Sequence, residues 1–72
     1  REDRKALAAI ERILLIRPNA VGELRDRGML LARTGRVGEA IADLESYLDS
    51  APEAPDARRV RHMIEELARD TR

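Results

Sequence analysis

The sequence predicts an all-α protein built from antiparallel helical hairpins, with four helices. Four segments carry apolar residues at intervals of three and four, which is the period of a helix face. Short stretches that contain Pro or Gly separate these segments, and helices joined by such short connections pack as antiparallel neighbours. Tyr47 is the only aromatic residue, so the core must be aliphatic, which suits packed helices better than a sheet.

The first two predicted helices are bounded by proline and glycine. The first covers about residues 3–16 and ends before Pro18, because proline disfavours a helical conformation in the residue that precedes it. Asn19 is expected to cap the second helix with its side chain. That helix covers about residues 20–34, and Gly35 supplies the left-handed residue that commonly follows a helix.

The third predicted helix covers about residues 37–48 and the fourth about residues 55–69. A proline-containing linker separates them, and Pro55 is expected in the first turn of the fourth helix, where no backbone N–H is needed. Each of these helices carries one apolar stripe. The stripes comprise Val37, Ala40, Ile41, Leu44, Tyr47 and Leu48 in the third helix, and Val60, Met63, Ile64, Leu67 and Ala68 in the fourth.

Charge and composition exclude several classes of function. Lys and Arg number 14, as do Asp and Glu, and the formal net charge of +0 leaves no general positive field for nucleic acid or an anionic membrane. The longest apolar stretch is too short to cross a bilayer. Cysteine is absent, which excludes disulfides and thiolate chemistry and is typical of a cytoplasmic protein. Because the chain opens with Arg1 and not with Met, we expect it to be cut from a longer protein or trimmed of disordered ends.

The chain repeats itself with a period of thirty-four residues. At this shift, identical residues meet at helix-face and breaker positions. They include Ala6 with Ala40, Glu11 with Glu45, Leu14 with Leu48, Pro18 with Pro52, and Met29 with Met63. The repeating unit therefore contains two helices.

A two-helix unit of this period resembles the tetratricopeptide repeat, and its signature positions can be checked from Val21 onward. The bulky, small and closing positions fall on Leu24, Gly28, Leu31, Ala40, Leu44 and Pro52. Gly28 and Ala40 would lie where the two helices cross, since larger side chains would hold the axes apart. Arg27, where the family usually has Leu, and Tyr47, where it usually has Ala, depart from the pattern.

The resemblance implies a fragment of a right-handed solenoid organised as one domain, residues 1–72. Residues 1–17 would be the second helix of a partial repeat, residues 21–52 a complete repeat, and residues 55–70 a terminal capping helix. Three strings, residues 24–28, 42–48 and 51–57, are also similar to the repeat region that follows the transglutaminase-like domain in a family of bacterial proteins. The catalytic-type domain of that family would lie outside these residues.

The family resemblance also implies a peptide-binding groove, because such arrays bind partners mainly on the surface lined by the first helix of each unit. The corresponding positions in this chain are Arg25, Met29, Arg33, Arg59 and Met63. The arginines would favour an acidic peptide or a C-terminal carboxylate, and the methionines would be adaptable apolar contacts. The alternative is that these arginines are simply solvated, since the asparagines of carboxylate-clamp repeats are absent.

Catalytic, cofactor-binding and metal-binding residues are not expected. His62 is the only histidine, and no second ligand stands at zinc spacing from it. The carboxylate pairs Glu65 with Glu66 and Asp43 with Glu45 are too close in sequence to face each other on a helix. The glycine-containing turn at residues 35–38 lacks the Lys-Ser/Thr of a phosphate-binding loop.

Arg27 is the unusual residue of the complete repeat, because an Arg at a normally apolar position between helices needs a carboxylate or solvent. We hypothesise an ion pair with Asp43 or Glu45 on the next helix. For the whole chain, three functions remain open: a protein- or peptide-binding module, an accessory domain of a transglutaminase-like enzyme, and a self-association module. The third follows from the first helix, which is apolar around most of its circumference and could form a homo-oligomer or a domain swap.

Overall fold

A computed structural model describes residues 2–70 of the chain. Four helices follow one another in this part: α1 (Glu2–Ile16), α2 (Val21–Arg33), α3 (Val37–Ser50) and α4 (Ala57–Asp70). Each helix packs against the next one along the chain. The predicted all-α fold class is therefore confirmed. The predicted ranges 1–17 and 1–72 also include Arg1, Thr71 and Arg72, which lie outside the described residues.

The end of α2 is built around Gly35. Gly35 adopts a φ of 86°, in the left-handed region that favours glycine. The N–H of Arg36 donates to the carbonyl of Leu31 at 2.9 Å, and the N–H of Gly35 donates to that of Ala32 at 3.2 Å. This pair of hydrogen bonds is a Schellman motif, which satisfies carbonyls left free at the helix end. The prediction for Gly35 is confirmed.

The predicted cap at the start of α2 is wrong. Ala20, not Asn19, is the residue that precedes the helix, and no side-chain hydrogen bond caps it. Asn19 lies in the turn before this point, where the N–H of Ala20 donates to the carbonyl of Arg17 at 3.0 Å. The side chain of Asn19 is thus one residue too early to reach the free N–H groups of the first turn.

The predicted place of Pro55 is also wrong, because α4 begins at Ala57 and Pro55 lies in the turn before it. The N–H of Ala57 donates to the carbonyl of Ala54 at 3.0 Å, so that Pro55 stands second in a four-residue turn. This position suits the fixed φ of proline as well as a first helical turn does. The carbonyl of Asp56 then accepts the N–H of Val60, which opens the helical hydrogen-bonding pattern.

The core consists of two clusters of buried aliphatic side chains and Tyr47. One cluster joins all four helices and comprises Leu14, Leu24, Leu44, Tyr47 and Val60. The other joins α1, α2 and α3 and comprises Leu7, Leu31 and Ala40. Leu44, Val60 and Ala40 have no exposed surface at all. The signature residues Leu24, Gly28, Leu31, Ala40 and Leu44 are all buried, whereas Pro52 is exposed.

Helices α2 and α3 pack closely against each other at Gly28. A Cβ atom added at Gly28 would lie 2.8 Å from Cγ of Leu44 and 3.3 Å from the backbone oxygen of Ala40. Because Leu44 is completely buried, its side chain has no free space into which to move. The absence of a side chain at Gly28 therefore determines how closely the two helices pack.

Gly28→Ala is expected to lower the free energy of unfolding by about 1–2 kcal/mol. Overpacking costs about 1–3 kcal/mol, and the better helix propensity of Ala returns up to about 1 kcal/mol. Gly38→Ala in α3 is the matched control, since nothing lies within 4 Å of its added Cβ, and it should be neutral or stabilising. Urea unfolding followed by circular dichroism measures both. Equal effects of the two substitutions would contradict the close approach at Gly28.

Candidate functional site

Arg25, the first residue of the predicted groove, is bound within the chain. Its Nη1 donates to Oδ2 of Asp56 at 3.0 Å, and its Nε and Nη2 lie 3.4 and 3.3 Å from Oδ1 of Asp26. Its guanidinium carbon also lies 5.7 Å from the centre of the Tyr47 ring, within the range of a cation–π contact. Arg25 therefore connects α2 to α3 and to the start of α4.

Tyr47 completes this arrangement, which we name the Arg25–Tyr47–Asp56 cluster. The Tyr47 ring is buried and its hydroxyl donates a hydrogen bond to Oδ1 of Asp56 at 2.5 Å. This hydrogen bond, followed by the charge and hydrogen bond of Arg25, lowers the pKa of Asp56, and the same hydrogen bond raises the pKa of Tyr47. The sequence analysis missed the pairing, although a Tyr at an apolar position needs a partner for its hydroxyl.

Tyr47→Phe is expected to lower the stability of the protein near neutral pH and to flatten the dependence of stability on pH. A lowered Asp56 pKa contributes stability above its ordinary value of 3.8 that is lost as pH falls through the folded value. A raised Tyr47 pKa contributes stability below its ordinary value of 10.0 that is lost as pH rises through the folded value. The wild type should therefore be more stable than the variant by the largest amount between about pH 4 and 10. Thermal unfolding across pH measures this, and parallel profiles would contradict it.

The other predicted groove residues have different surroundings. Arg33 is exposed and its Nη2 lies 3.2 Å from Oδ1 of Asp3 on α1. Arg59 is exposed and has no ion pair among the described residues. Met29 is half-buried, and Met63 packs against the larger core cluster. The five residues thus lie on α2 and α4 as expected, but Arg25 and Arg33 already have carboxylate partners.

The hypothesised ion pair of Arg27 is confirmed, with Asp43 as the partner. Nε of Arg27 donates to Oδ2 of Asp43 at 2.6 Å, and Nη2 donates to Oδ1 at 2.9 Å, which is the forked geometry of a strong Arg–carboxylate pair. The hydrogen bonds to Asp43 raise the pKa of Arg27. Glu45, the other proposed partner, is exposed. Asp43 is buried, so this pair joins the facing sides of α2 and α3.

A trough lies along α2; its larger part is lined by α1, the turn after α1 and α2, and only its smaller part reaches α3. It consists of two adjoining depressions of about 410 and 240 Å³ that share Glu11 and Arg27. The larger depression is also lined by Leu14, Leu15, Pro18 and Leu24, and the smaller one by Leu31, Glu39, Ala42 and Asp43. We name this feature the α1–α3 trough. None of the predicted groove residues lines it, and no pattern in the sequence pointed to it, since its lining comes from three helices and a turn.

The family profile of the tetratricopeptide repeat matches residues 1–65. The chain belongs to the tetratricopeptide repeat family. A curated relative, the UPF0162 protein PM0557 of Pasteurella multocida (strain Pm70), is 34% identical to it over 67 residues. The match covers 93% of the tetratricopeptide repeat chain and 25% of the relative, so the chain spans about a quarter of that protein's length. No solved structure matches the chain significantly.

In this tetratricopeptide repeat chain, His62 and its two neighbouring carboxylates lie on an exposed face of α4. His62 is exposed, with Nε2 3.3 Å from Glu66 and Nδ1 3.9 Å from Glu65 on the same helix. Residues 2–70 contain no group of three or more His, Cys, Asp or Glu side chains that could hold a metal ion. Within the same range, no helix combines the length and the apolar character needed to cross a membrane.

Proposed function

We propose that this chain is a non-catalytic interaction or scaffolding module, which binds a peptide or a partner domain through the surfaces of its helical repeat. Tetratricopeptide repeats generally mediate protein–protein interactions, and this class-level property supports the proposal. The observation that carries it is apolar surface at the end of α1, where Leu15 is 83% and Ile16 is 81% exposed. Adjacent apolar side chains of this size favour a protein that covers them.

Within this proposal, an acidic peptide or a C-terminal carboxylate binds to the surface formed by Met29 and Arg33 of α2 and Arg59 of α4. We name this the α2–α4 surface. Arg59 and Arg33 are the contacts we favour, because Arg59 has no ion pair among the described residues and the Arg33 side chain is 68% exposed beside Asp3. Met29 would supply an adaptable apolar contact. Arg25 would contribute little to the ligand, because its guanidinium is held by Asp56 and Asp26.

Binding to a library of acidic peptides with free C-terminal carboxylates tests this surface. The Arg33→Glu/Arg59→Glu variant should bind the selected peptides at least about tenfold more weakly than the wild type. Arg12→Glu/Arg17→Glu is the matched control, since it makes the same change of charge at exposed positions of α1 and the following turn. Equal weakening in both variants would indicate a general effect of charge and would contradict a site on α2 and α4.

A second candidate is an accessory domain of a transglutaminase-like protein. The short strings described above are the observation that favours it, and the match covers 25% of the Pasteurella relative, which leaves length in that protein for a further domain. A catalytic Cys–His pair elsewhere in the parent protein would support this function. A parent protein whose other domains carry no such pair would contradict it.

Self-association through α1 is the third candidate, because Leu15 and Ile16 of one copy could be covered by another copy. Light scattering of the wild type and of Ile16→Ser over a range of concentrations tests it, and a strict monomer at high concentration would contradict it.

We further propose that residues 21–52 form a complete repeat flanked by a half-repeat and a capping helix. The absence of cysteine supports a cytoplasmic location.

A further inference from the structure

The α1–α3 trough has one apolar end. Leu14 and Leu24 are buried at its base, at 7% and 9% exposure, and the exposed Leu15 and Pro18 form its wall. This part of the trough, of about 410 Å³, is open to solvent, so a ligand would lie along it. A branched aliphatic side chain placed here would contact apolar atoms on two sides and would cover part of Leu15.

The other end of the trough is acidic. Its lining contains the carboxylates of Glu11, Asp43 and Glu39 but only one cation, Arg27. Arg27 is occupied by its forked hydrogen bonds to Asp43, and Glu39 is bound by Arg36 at 3.0 and 2.6 Å. Glu11 has no ion pair among the described residues, and it lines both depressions together with Arg27.

Glu11 and Leu15 are one helical turn apart on α1, so their side chains lie on the same face of the helix. A ligand that satisfies both must carry a positive charge and an aliphatic group at a similar separation. A second helix lying along the trough has this spacing between residues three or four positions apart, which is the usual way in which an amphipathic helix occupies a groove.

We propose that the α1–α3 trough binds an amphipathic helix of a partner protein, with an aliphatic side chain against Leu14, Leu15 and Leu24 and a Lys or Arg beside Glu11. This inference rests on the proposed interaction function and adds the chemistry of the partner. It concerns a ligand of opposite charge to that proposed for the α2–α4 surface. The two surfaces are therefore distinguishable by the charge of the peptide that each binds.

The probe is a labelled, alanine-based helical peptide that carries Leu and Arg one turn apart, and its binding is measured by fluorescence anisotropy. Two control peptides replace the Arg by Glu or place Pro between the two side chains. The first change puts a carboxylate beside Glu11, and the second breaks the helix. We expect the probe to bind at least about tenfold more tightly than either control peptide, and binding should increase its helicity.

Variants of the chain locate the binding site. Leu15→Ser and Glu11→Lys should each weaken binding of the probe by about tenfold or more. The matched controls are Ile16→Ser, which changes an equally exposed neighbour that does not line the trough, and Glu65→Lys, which changes an exposed carboxylate on α4. Both controls should bind the probe with wild-type affinity. All four substitutions are at exposed positions and should leave stability within about 0.5 kcal/mol of the wild type.

Three results would overturn the proposal: equal weakening by Ile16→Ser and Leu15→Ser, equal affinity for the Arg and Glu peptides, or no binding of the probe. In each case the acidic-peptide library still tests the broader function. If the selected acidic peptides bind on α2 and α4 but the probe does not bind, the proposed interaction function is supported and the proposed helix site in the trough is wrong. Failure of both the probe and the library would contradict both proposals.

Discussion

Leu44→Ala is expected to lower the free energy of unfolding by about 3 kcal/mol. Leu44 has no exposed surface, and it packs in the cluster that joins all four helices. Its side chain also occupies the space next to Gly28, so the cavity left by truncation would lie between α2 and α3. The helix backbones can close this cavity only in part, and the contacts that remain unmade add to the lost hydrophobic transfer.

The effect is large for so small a protein. At about 0.05–0.15 kcal/mol per residue, a chain of this size is stable by roughly 4 to 11 kcal/mol. Urea unfolding followed by circular dichroism measures the loss, with Leu15→Ala as the matched control. Leu15 is 83% exposed, so the same truncation there should change stability by less than about 0.5 kcal/mol. Similar losses in the two variants would show that burial at Leu44 does not determine stability.

Asp43→Ala is expected to lower the free energy of unfolding by about 1–3 kcal/mol. The substitution leaves the Arg27 guanidinium without its two hydrogen bonds, between two packed helices. Arg27 retains some access to water, since its side chain is 28% exposed. It can therefore recover part of its hydration by moving outward, which keeps the cost below that of a fully buried, unpaired charge.

The double variant Arg27→Leu/Asp43→Ala separates the cost of an unpaired charge from the value of the pair. Leu is the residue that the tetratricopeptide pattern usually has at position 27, and it restores apolar contact without a charge. We expect the double variant to lie within about 1 kcal/mol of the wild type, because well-packed apolar residues often replace a buried ion pair without loss. A double variant as unstable as Asp43→Ala would contradict this account and would indicate that the pair itself is strongly stabilising.

The sequence was sufficient for those features that depend on neighbours along the chain. Helix periodicity and breakers predicted four helices, and Gly35 predicted the end of α2, because a left-handed residue is required there whatever the tertiary fold. The Arg27–Asp43 pair was also within reach. A charged side chain at an apolar inter-helix position needs a partner, and the hypothesis named two carboxylates of the next helix, Asp43 and Glu45, of which Asp43 is the partner.

The predictions for Asn19 and Pro55 were wrong because each residue suits two positions near a helix start equally well. Asn19 can cap a helix or form a turn, and Pro55 is as favourable in the turn before α4 as in its first turn. Neither residue by itself specifies where the helix begins. The hydrogen bonds of the preceding turns, which are accepted by the carbonyls of Arg17 and Ala54, determine where each helix begins.

Tertiary packing decided which charged groups are available for binding. Arg25 and Arg59 occupy equivalent positions in the repeat pattern, yet Arg25 is held by Asp56 and lies over the ring of Tyr47, whereas Arg59 is exposed. The trough around Glu11 likewise exists only where side chains of α1, α2 and α3 come together. Helical periodicity indicates the face of the helix on which a residue lies. The partner of a charged side chain depends on helices distant in sequence, because their separation and register are defined only in the folded chain.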